Sequence, residues 1–388
     1  MIRAKTTKKP SSKIRVVIVD DSRMMRALLR QAMEFFPDID VVGSVEDPFQ
    51  AREVIRKTNP DVVTLDVEMP RMNGLEFLEK IIKFRPLPVI MVSSLTSAGA
   101  DITFQALDIG AVDFVTKPTN RVEWDLFSEI ICRKISIAAR ANVTRPNKRL
   151  QPRVDSRAGF PPTANDTSLG SRERAAELHK TVKTHDASAS EQQFKLIAIG
   201  ASTGGVTAIG EVLHHLPPTA PPVVIAQHMP PGFTKRFAAR LAQAAQKDIA
   251  EAQDGEPLTC GMVRIAPGDQ HLLVANDRGR LTCLLEQTQP ISGHRPSVDV
   301  LFHSVAVAVG RRAVGAILTG MGSDGALGLR EMRQAGATTY AQSENTCVVY
   351  GMPRAAVKLG AVDDVLDIGD LAKTLIDLPA PRQIRSDS

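Results

Sequence analysis

Short apolar runs, each closed by a polar or glycine-rich segment, recur along this 388-residue chain. Between them lie segments with helical spacing, such as the apolar face that follows Asp21. Strands that alternate with helices predict a parallel sheet with helices packed on its faces. In the first third of the chain the strands are expected at Ile14–Val19, Val62–Leu65, Pro88–Val92 and Gly110–Val115.

The second half of the chain repeats this alternation. Two short runs there are joined by turn residues, Asp277-Arg278-Gly279, which predicts a hairpin inserted into the α/β pattern. The expected strands are Leu196–Ile199, Val223–Ala226, Val263–Ala266, His271–Val274, Leu281–Leu285, Val314–Leu318 and Thr338–Gln342. Helices are expected at Val206–Leu216, Val300–Val309 and Leu327–Gln334.

Length and composition divide the chain further. A chain of this length predicts two domains, and 43% apolar residues supply their cores. Residues 139–193 are rich in Pro, Ser, Arg and Asn and predict a linker. We therefore expect a basic disordered tail at 1–13, a first domain at 14–138 and a second domain at 194–388.

Charge and cysteine content narrow the possible functions. The net charge of +5 falls largely in the tail and linker, and no basic helix or aromatic platform suggests nucleic-acid binding. No apolar run approaches the ~18 residues of a membrane span, and the tail lacks the apolar core of a secretory signal. The four scattered cysteines fit free thiols in a reducing compartment. We expect a cytoplasmic, monomeric protein that neither binds nucleic acid nor inserts into a membrane.

Polar residues follow the strands of the first domain. Asp20 and Asp21, Asp66, Ser93 and Lys117 each stand at a strand's carboxyl end. Because these ends share one edge of a parallel sheet, the five side chains should converge. Carboxylates crowded in this way suit Mg²⁺, and with a lysine and a hydroxyl at the same edge a carboxylate could receive a phosphoryl group.

Residues 14–138 resemble a response-regulator receiver domain, which has a flavodoxin-like fold. The segments that carry the resemblance are VDDS, LDVEMPRMNG, PVIMVSS and DFVTKP, in that order. The resemblance implies that Asp66 accepts phosphate from a histidine kinase. It also implies a Mg²⁺ site made by Asp21, Asp66 and the backbone carbonyl of Glu68, with Asp20 assisting through water. Ser93 and Lys117 would contact the phosphoryl group, and Phe114 would be a switch aromatic.

The segment LIAIGASTGG, residues 196–205, predicts a strand, a glycine-rich loop and a helix. Such a loop can bind an anion through backbone N–H groups at the helix N-terminus. It can equally present Ser202 as a nucleophile in a G-x-S-x-G pattern. These ten residues alone leave both interpretations open.

Two further residues at strand ends favour the nucleophile. His228 and Asp324 follow other strands, so the sheet edge can bring them to Ser202. A histidine can take the serine proton near neutral pH, and a buried aspartate can fix its tautomer. The main competitor as base is His294, near Asp299; His271 is a weaker one.

Most of the remaining chain resembles the catalytic domain of chemotaxis-specific protein-glutamate methylesterases, a Rossmann-like α/β fold. The segments are LIAIGASTGG, QHMPPGFT, APGDQHLLV, GHRPSVDVLF, ILTGMGSDGALGL and AQSENTCVVYGMPRAA. The resemblance implies a triad of Ser202, His228 and Asp324, with backbone amides of Thr203 and Met321 as oxyanion donors. It implies hydrolysis of glutamyl methyl esters on the cytoplasmic helices of chemoreceptors, deamidation of receptor glutamines, and no cofactor in this domain.

A non-catalytic, nucleotide-binding output domain is the alternative, with GASTGG as its phosphate loop. It predicts a ribose-binding acidic residue about 20 residues further on, after the second strand. That position holds Gln227-His228, which counts against the alternative.

Overall fold

The structure, a computed structural model, describes residues 13–69, 72–94, 97–118, 120, 122–141, 143 and 195–377. The described residues of both halves fall in one compact unit that contains two large parallel sheets. The predicted tail apart from Lys13, the predicted linker apart from residues 139–141 and 143, and Phe194 lie outside the described residues.

The first sheet has five parallel strands in the order β2-β1-β3-β4-β5. Its strands are β1 (Ile14–Val19), β2 (Ile39–Val45), β3 (Val62–Asp66), β4 (Val89–Ser93) and β5 (Asp113–Thr116). Its helices are α1 (Arg23–Glu34), α2 (Pro48–Thr58), α3 (Gly74–Phe84), α4 (Ser97–Ile109) and α5 (Val122–Ala138). This strand order is that of a flavodoxin-like fold, as predicted.

The second half contains nine strands and six α-helices within residues 195–377. The strands are β6 (Leu196–Ala201), β7 (Val223–Gln227), β8 (Asp248–Glu251), β9 (Met262–Ile265), β10 (His271–Asp277), β11 (Arg280–Glu286), β12 (Ala313–Ile317), β13 (Thr338–Gln342) and β14 (Asp364–Leu366). The helices are α6 (Gly205–His215), α7 (Phe233–Ala245), α8 (Val298–Ala308), α9 (Ala326–Gln334), α10 (Met352–Lys358) and α11 (Ile368–Ile376).

Seven of these strands form the second parallel sheet, in the order β14-β13-β12-β6-β7-β9-β8. Every residue of β6, β7, β12 and β13 is buried, which explains the continuous apolar sequences of β6 and β12. The remaining two strands, β10 and β11, pair antiparallel from His271–Glu286 to Asp277–Arg280. The predicted hairpin insertion is therefore confirmed.

Aromatic side chains join the two halves, although aromatics are scarce in the chain. Phe114 of β5 stacks on Phe233 of α7 with ring centroids 4.7 Å apart. Phe104 of α4 lies 6.1 Å from Phe233 and 5.9 Å from Phe237. Phe104, Phe233 and Phe237 are at most 1% exposed, so this contact is a core rather than a loose surface.

The sequence prediction missed three edge strands. Strand β2 lies at the edge of its sheet, and most of its side chains are partly exposed, so it lacks a continuous apolar run. Strands β8 and β14 are also edge strands, of only four and three residues. None of the helices in the described ranges has the length and apolar character needed to cross a bilayer.

Candidate active site and phosphoacceptor site

The candidate active site lies where the second sheet reverses its strand order. Strand β6 is flanked by β7 on one side and β12 on the other. Ser202 directly follows β6, His228 directly follows β7, and Asp324 lies in the loop after β12. Open α/β sheets bind ligands in the crevice at such a switch point.

His228 and Asp324 form a close pair in this crevice. Nε2 of His228 lies 2.7 Å from Oδ2 of Asp324, and the two side chains are 8% and 1% exposed. The carboxylate also accepts hydrogen bonds from the Ser297 hydroxyl at 2.7 Å and the Val298 N–H at 2.8 Å. Burial alone would raise the pKa of Asp324, but His228 and these donors lower it to about 2. The carboxylate is therefore ionised at neutral pH.

The second ring nitrogen of His228 is available for chemistry. Among the described residues, Nδ1 of His228 is buried and has no hydrogen-bond partner. Ser202 lines the same cavity of about 190 Å³ as His228. Because Nε2 is held by Asp324, Nδ1 is the ring nitrogen that has an unused lone pair or proton.

Glycines allow close packing around Ser202. Gly204 has φ +79°, and a Cβ there would lie 2.7 Å from the Val348 side chain. A Cβ on Gly320 would lie 2.8 Å from Cβ of Ser202. Larger residues at either position would displace the loop that carries the serine.

Two backbone amides near Ser202 are the predicted oxyanion donors. Within the described ranges, neither the N–H of Thr203 nor that of Met321 donates a hydrogen bond. The carbonyl of Thr203 instead accepts from the Thr319 hydroxyl at 2.9 Å, which fixes the loop. Unused N–H groups on a rigid loop are what an oxyanion site requires.

The other histidines have different surroundings. His271 is fully buried; its Nδ1 accepts from the Ser297 N–H at 3.1 Å, and its Nε2 lies 3.1 Å from the Gln289 carbonyl. The His294 ring lies flat against the His228 ring. Both therefore support the candidate site from outside the Ser202–His228–Asp324 set.

Three residues of this site were missed from the sequence. Ser297, the N-cap of α8, bonds Asp324, and the Gln227 amide donates to the Ser202 carbonyl at 3.0 Å. Asp299 donates its backbone N–H to Asp324 at 3.1 Å. A helix-cap pattern at Ser297 was readable, but its contact with Asp324 depends on how α8 packs.

The predicted acidic cluster forms at the carboxyl edge of the first sheet. Oxygens of Asp20, Asp21 and Asp66 all lie within 4.8 Å of one another. Lys117 Nζ lies 2.8 Å from Asp66 and 3.1 Å from Asp20. Burial, with the Asp20 charge, raises the pKa of Asp66 to about 6 in spite of Lys117. Ser93, fully buried at the end of β4, completes the set at this edge.

The first half of the chain reaches the loop of Ser202 directly. The Thr203 hydroxyl donates to the Asp113 carboxylate of β5, which also accepts from Lys134 at 2.7 Å. Residues of α4 and β5, including Leu107 and Phe114, line the cavity that holds Ser202 and His228. Arg236 pairs with Asp101 at 3.1 Å, and Arg240 pairs with Asp108, around this contact.

The fold and the two sites define a class of protein. Its first half is a flavodoxin-like fold with a cluster of carboxylates at the sheet edge, and its second half is an α/β fold with a serine, a histidine and an aspartate at the switch point. Residues 16–125 match the family model described as response regulator receiver domain, and residues 197–375 match that of CheB methylesterase. The chain belongs to the CheB methylesterase family.

Curated relatives match over almost the full length of the chain. A Pectobacterium atrosepticum protein named protein-glutamate methylesterase/protein-glutamine glutaminase is 48% identical over 94% of this chain and 97% of its own. A Hydrogenovibrio crunogenus protein of the same name is 44% identical over 95% of this chain and 99% of its own. The crystal structure of the Thermotoga maritima CheB methylesterase catalytic domain is 38% identical, with a TM-score of 0.47, over 48% of this chain and 100% of that chain. The matches give no support to a nucleotide-binding output domain.

Proposed function

We propose that this chain is a phosphorylation-activated serine esterase that hydrolyses glutamyl methyl esters of chemoreceptors. The observation that carries the proposal is the buried His228–Asp324 pair beside Ser202, at the switch point of the second sheet. The names of the full-length relatives support the substrate class. Release of methyl groups would adapt the receptors during chemotaxis.

The proposed chemistry starts at Ser202. Its hydroxyl attacks the ester carbonyl while Nδ1 of His228 takes the proton, and Asp324 stabilises the imidazolium that forms. The N–H groups of Thr203 and Met321 donate to the developing oxyanion. His228 returns the proton to the leaving methoxide, which departs as methanol. Water then attacks the acyl-enzyme while His228 takes its proton, and His228 returns that proton to Ser202 as the glutamate product leaves.

A second reaction uses the same residues on a glutamine amide. The acyl-enzyme formed from glutamine is identical to that from the methyl ester, and only the leaving group, ammonia, differs. His228 must protonate the amine as it leaves, which is a greater demand than for methanol. The relatives' names include glutaminase activity, in line with this proposal.

Phosphorylation of Asp66 is the proposed activating event. Carboxylate oxygens from Asp20, Asp21 and Asp66 suit Mg²⁺, and the Glu68 carbonyl is the further proposed ligand. Bound Mg²⁺ would neutralise charge on the incoming phosphoryl group. Lys117, already on Asp66, and Ser93 would hold the phosphoryl oxygens, after a histidine kinase supplies the group.

The contact around Asp113 explains why the unphosphorylated protein should be slow. Residues of α4 and β5 line the cavity of Ser202 and His228. In this proposal a receptor helix cannot enter the cavity while α4 and β5 occupy this position. We propose that phosphorylation weakens this contact and opens the crevice, as a local charge change that biases a two-state interface. The enzyme is proposed to act as a cytoplasmic monomer on the cytoplasmic helices of receptors.

The decisive experiment measures methanol release from membranes that carry a methylated chemoreceptor. Ser202→Ala should abolish release, with Ser343→Ala as a serine control outside the crevice. Acetyl phosphate should raise the wild-type rate, and Asp66→Asn should keep the basal rate but lose the stimulation. Full hydrolysis by Ser202→Ala would refute the nucleophile, and unchanged stimulation of Asp66→Asn would move the phosphoacceptor elsewhere.

A further inference from the structure

The imidazole of His294 covers one face of the His228 ring. The two ring centroids are 3.7 Å apart, and the ring planes are inclined by only 8°. Asp324 holds the edge of the same His228 ring through Nε2 at 2.7 Å. The His228 ring is thus held at its edge by one residue and on its face by another.

A single segment, Ile291–Ser297, supplies His294 and also contacts Asp324. Ile291 and His294 exchange backbone hydrogen bonds at 3.0 and 2.9 Å, with Ser292 and Gly293 at φ +54° and +78° between them. Two consecutive residues with positive φ form the tight turn typical of two-residue hairpin loops. Three residues beyond His294, the Ser297 hydroxyl bonds the Asp324 carboxylate. The segment that presents His294 therefore also orients the aspartate.

We propose that His294 is a positioning residue for the reaction: it stacks as a neutral ring on His228 and keeps Nδ1 of His228 in line with Ser202. This inference rests on the proposed role of His228 as the base. A histidine can turn about its side-chain bonds, and one carboxylate at Nε2 leaves rotation about that hydrogen bond open. A flat ring pressed against its face removes that freedom.

The surroundings of His294 make it a poor base in its own right. Burial lowers the pKa of His294 to about 4, with His228, Arg133 and Lys134 adding positive charge against the opposing Asp324. A base of that pKa takes a proton from a serine weakly at neutral pH. Asp324 also directs its hydrogen bond to His228, not to His294.

A neutral His294 has a second consequence for the proposed transition state. When His228 accepts the serine proton it becomes a cation, and the π face of a neutral aromatic ring attracts a cation. A protonated His294 would instead place a second positive charge 3.7 Å away. The stack favours the imidazolium only while His294 stays uncharged.

The test compares His294→Ala and His294→Phe in the full-length protein. The readouts are kcat and KM for methanol release, and the rate of labelling by a fluorophosphonate, which needs no receptor. We expect His294→Ala to lower kcat and labelling about 10- to 100-fold with little change in KM, because a small misplacement of a catalytic group costs that much. His294→Phe, which keeps a flat ring without a titratable nitrogen, should recover most of the loss.

Controls separate this inference from the proposed triad. His303→Ala removes an exposed histidine of α8 paired with Glu331 and should match the wild type. His228→Ala should be inactive; if it is active, the triad itself fails. If His228→Ala is inactive but His294→Phe is as impaired as His294→Ala, His294 works through its nitrogens and the positioning role is wrong. Wild-type rates in His294→Ala, or a change confined to KM, would also overturn it.

The stack can be tested without turnover as well. The proton between Nε2 of His228 and Asp324 should give a downfield NMR signal in the wild type and in His294→Phe. In His294→Ala the freed ring should broaden or lose that signal. A sharp, unchanged signal in His294→Ala would show that the stack does not hold the ring. Thermal unfolding of each variant checks that the fold is intact.

Discussion

The Asp324 carboxylate has four hydrogen-bond partners, more than a turn residue needs. It binds His228, the Ser297 hydroxyl and the backbone N–H groups of Val298 and Asp299. These donors fix both carboxylate oxygens before substrate arrives, and they keep the carboxylate charged. The strand-end pattern was enough to predict Asp324 as a candidate, but not the donors that orient it.

Asp324→Asn tests the orienting role at this position. The amide can keep the shape of the side chain, but it presents an N–H₂ where His228 needs an acceptor. In the proposed mechanism kcat should fall on the order of 10³- to 10⁴-fold, as for loss of the aspartate in other serine triads. The check is kcat for methanol release together with the far-ultraviolet circular dichroism spectrum. Near wild-type turnover in a folded variant would contradict the proposed role.

Asp299 gives a pH-dependent prediction. Burial, with the charge of Asp324, raises the pKa of Asp299 to about 6, against the hydrogen bond from the Gly328 N–H. A carboxyl group whose folded pKa lies above its unfolded value loses stabilisation as the pH rises from about 4 to about 6. Asp299→Asn removes the charge and keeps an acceptor for Gly328. The free energy of unfolding of Asp299→Asn minus that of the wild type, measured in urea, should be larger at pH 8 than at pH 4.5. A smaller difference at pH 8 would exclude the repulsion between Asp299 and Asp324.

At the scale of elements, β5 links the two candidate sites. Asp113 at its start accepts from the Thr203 hydroxyl, and Lys117 directly after its end contacts Asp66. A shift of this short strand when Asp66 is phosphorylated would therefore act on the loop of Ser202. The pattern DFVTKP predicted Lys117 at a strand end, but no pattern within the first domain could predict a partner for Asp113 in the second.

Asp113→Ala should loosen the contact between β5 and the Ser202 loop. Without the acceptor, the Thr203 hydroxyl loses its partner, and the first sheet should separate from the crevice more often. We expect basal methanol release to rise several-fold and stimulation by acetyl phosphate to shrink. Asp40→Ala is the matched control, since Asp40 is exposed on the opposite edge strand β2. A basal rate equal to that of the control would rule out this restraint.

Over the whole molecule, an aromatic contact joins the halves, with Phe104 and Phe114 of the first packed on Phe233 and Phe237 of the second. The most readily predicted parts were the buried strands, because continuous apolar runs depend on local burial alone. The packing of Phe104 on Phe233 and Phe237 could not be predicted, since it depends on how the two sheets meet. The short edge strands β8 and β14 were not predicted for a different reason, because their apolar pattern is weak.

Phe104→Ala tests this contact. Removing a phenylalanine that is 1% exposed should lower the free energy of unfolding by about 3 kcal/mol and raise the basal esterase rate. Phe84→Ala is the control, because Phe84 is 72% exposed at the end of α3. Unfolding in urea and methanol release without phosphodonor are the measurements. A destabilised variant with no gain in basal rate would show that the aromatic contact supports the fold without restraining the enzyme.

The pairing of Asp113 with Thr203 has a consequence for engineering this family. The contacts that join the halves pair the Asp113 carboxylate with the Thr203 hydroxyl, two aspartates with two arginines, and two phenylalanines with two phenylalanines. A chimera that takes its receiver from a distant relative would keep only one member of each pair. Exchange of receivers should therefore uncouple input from output unless both members of each pair are transferred together.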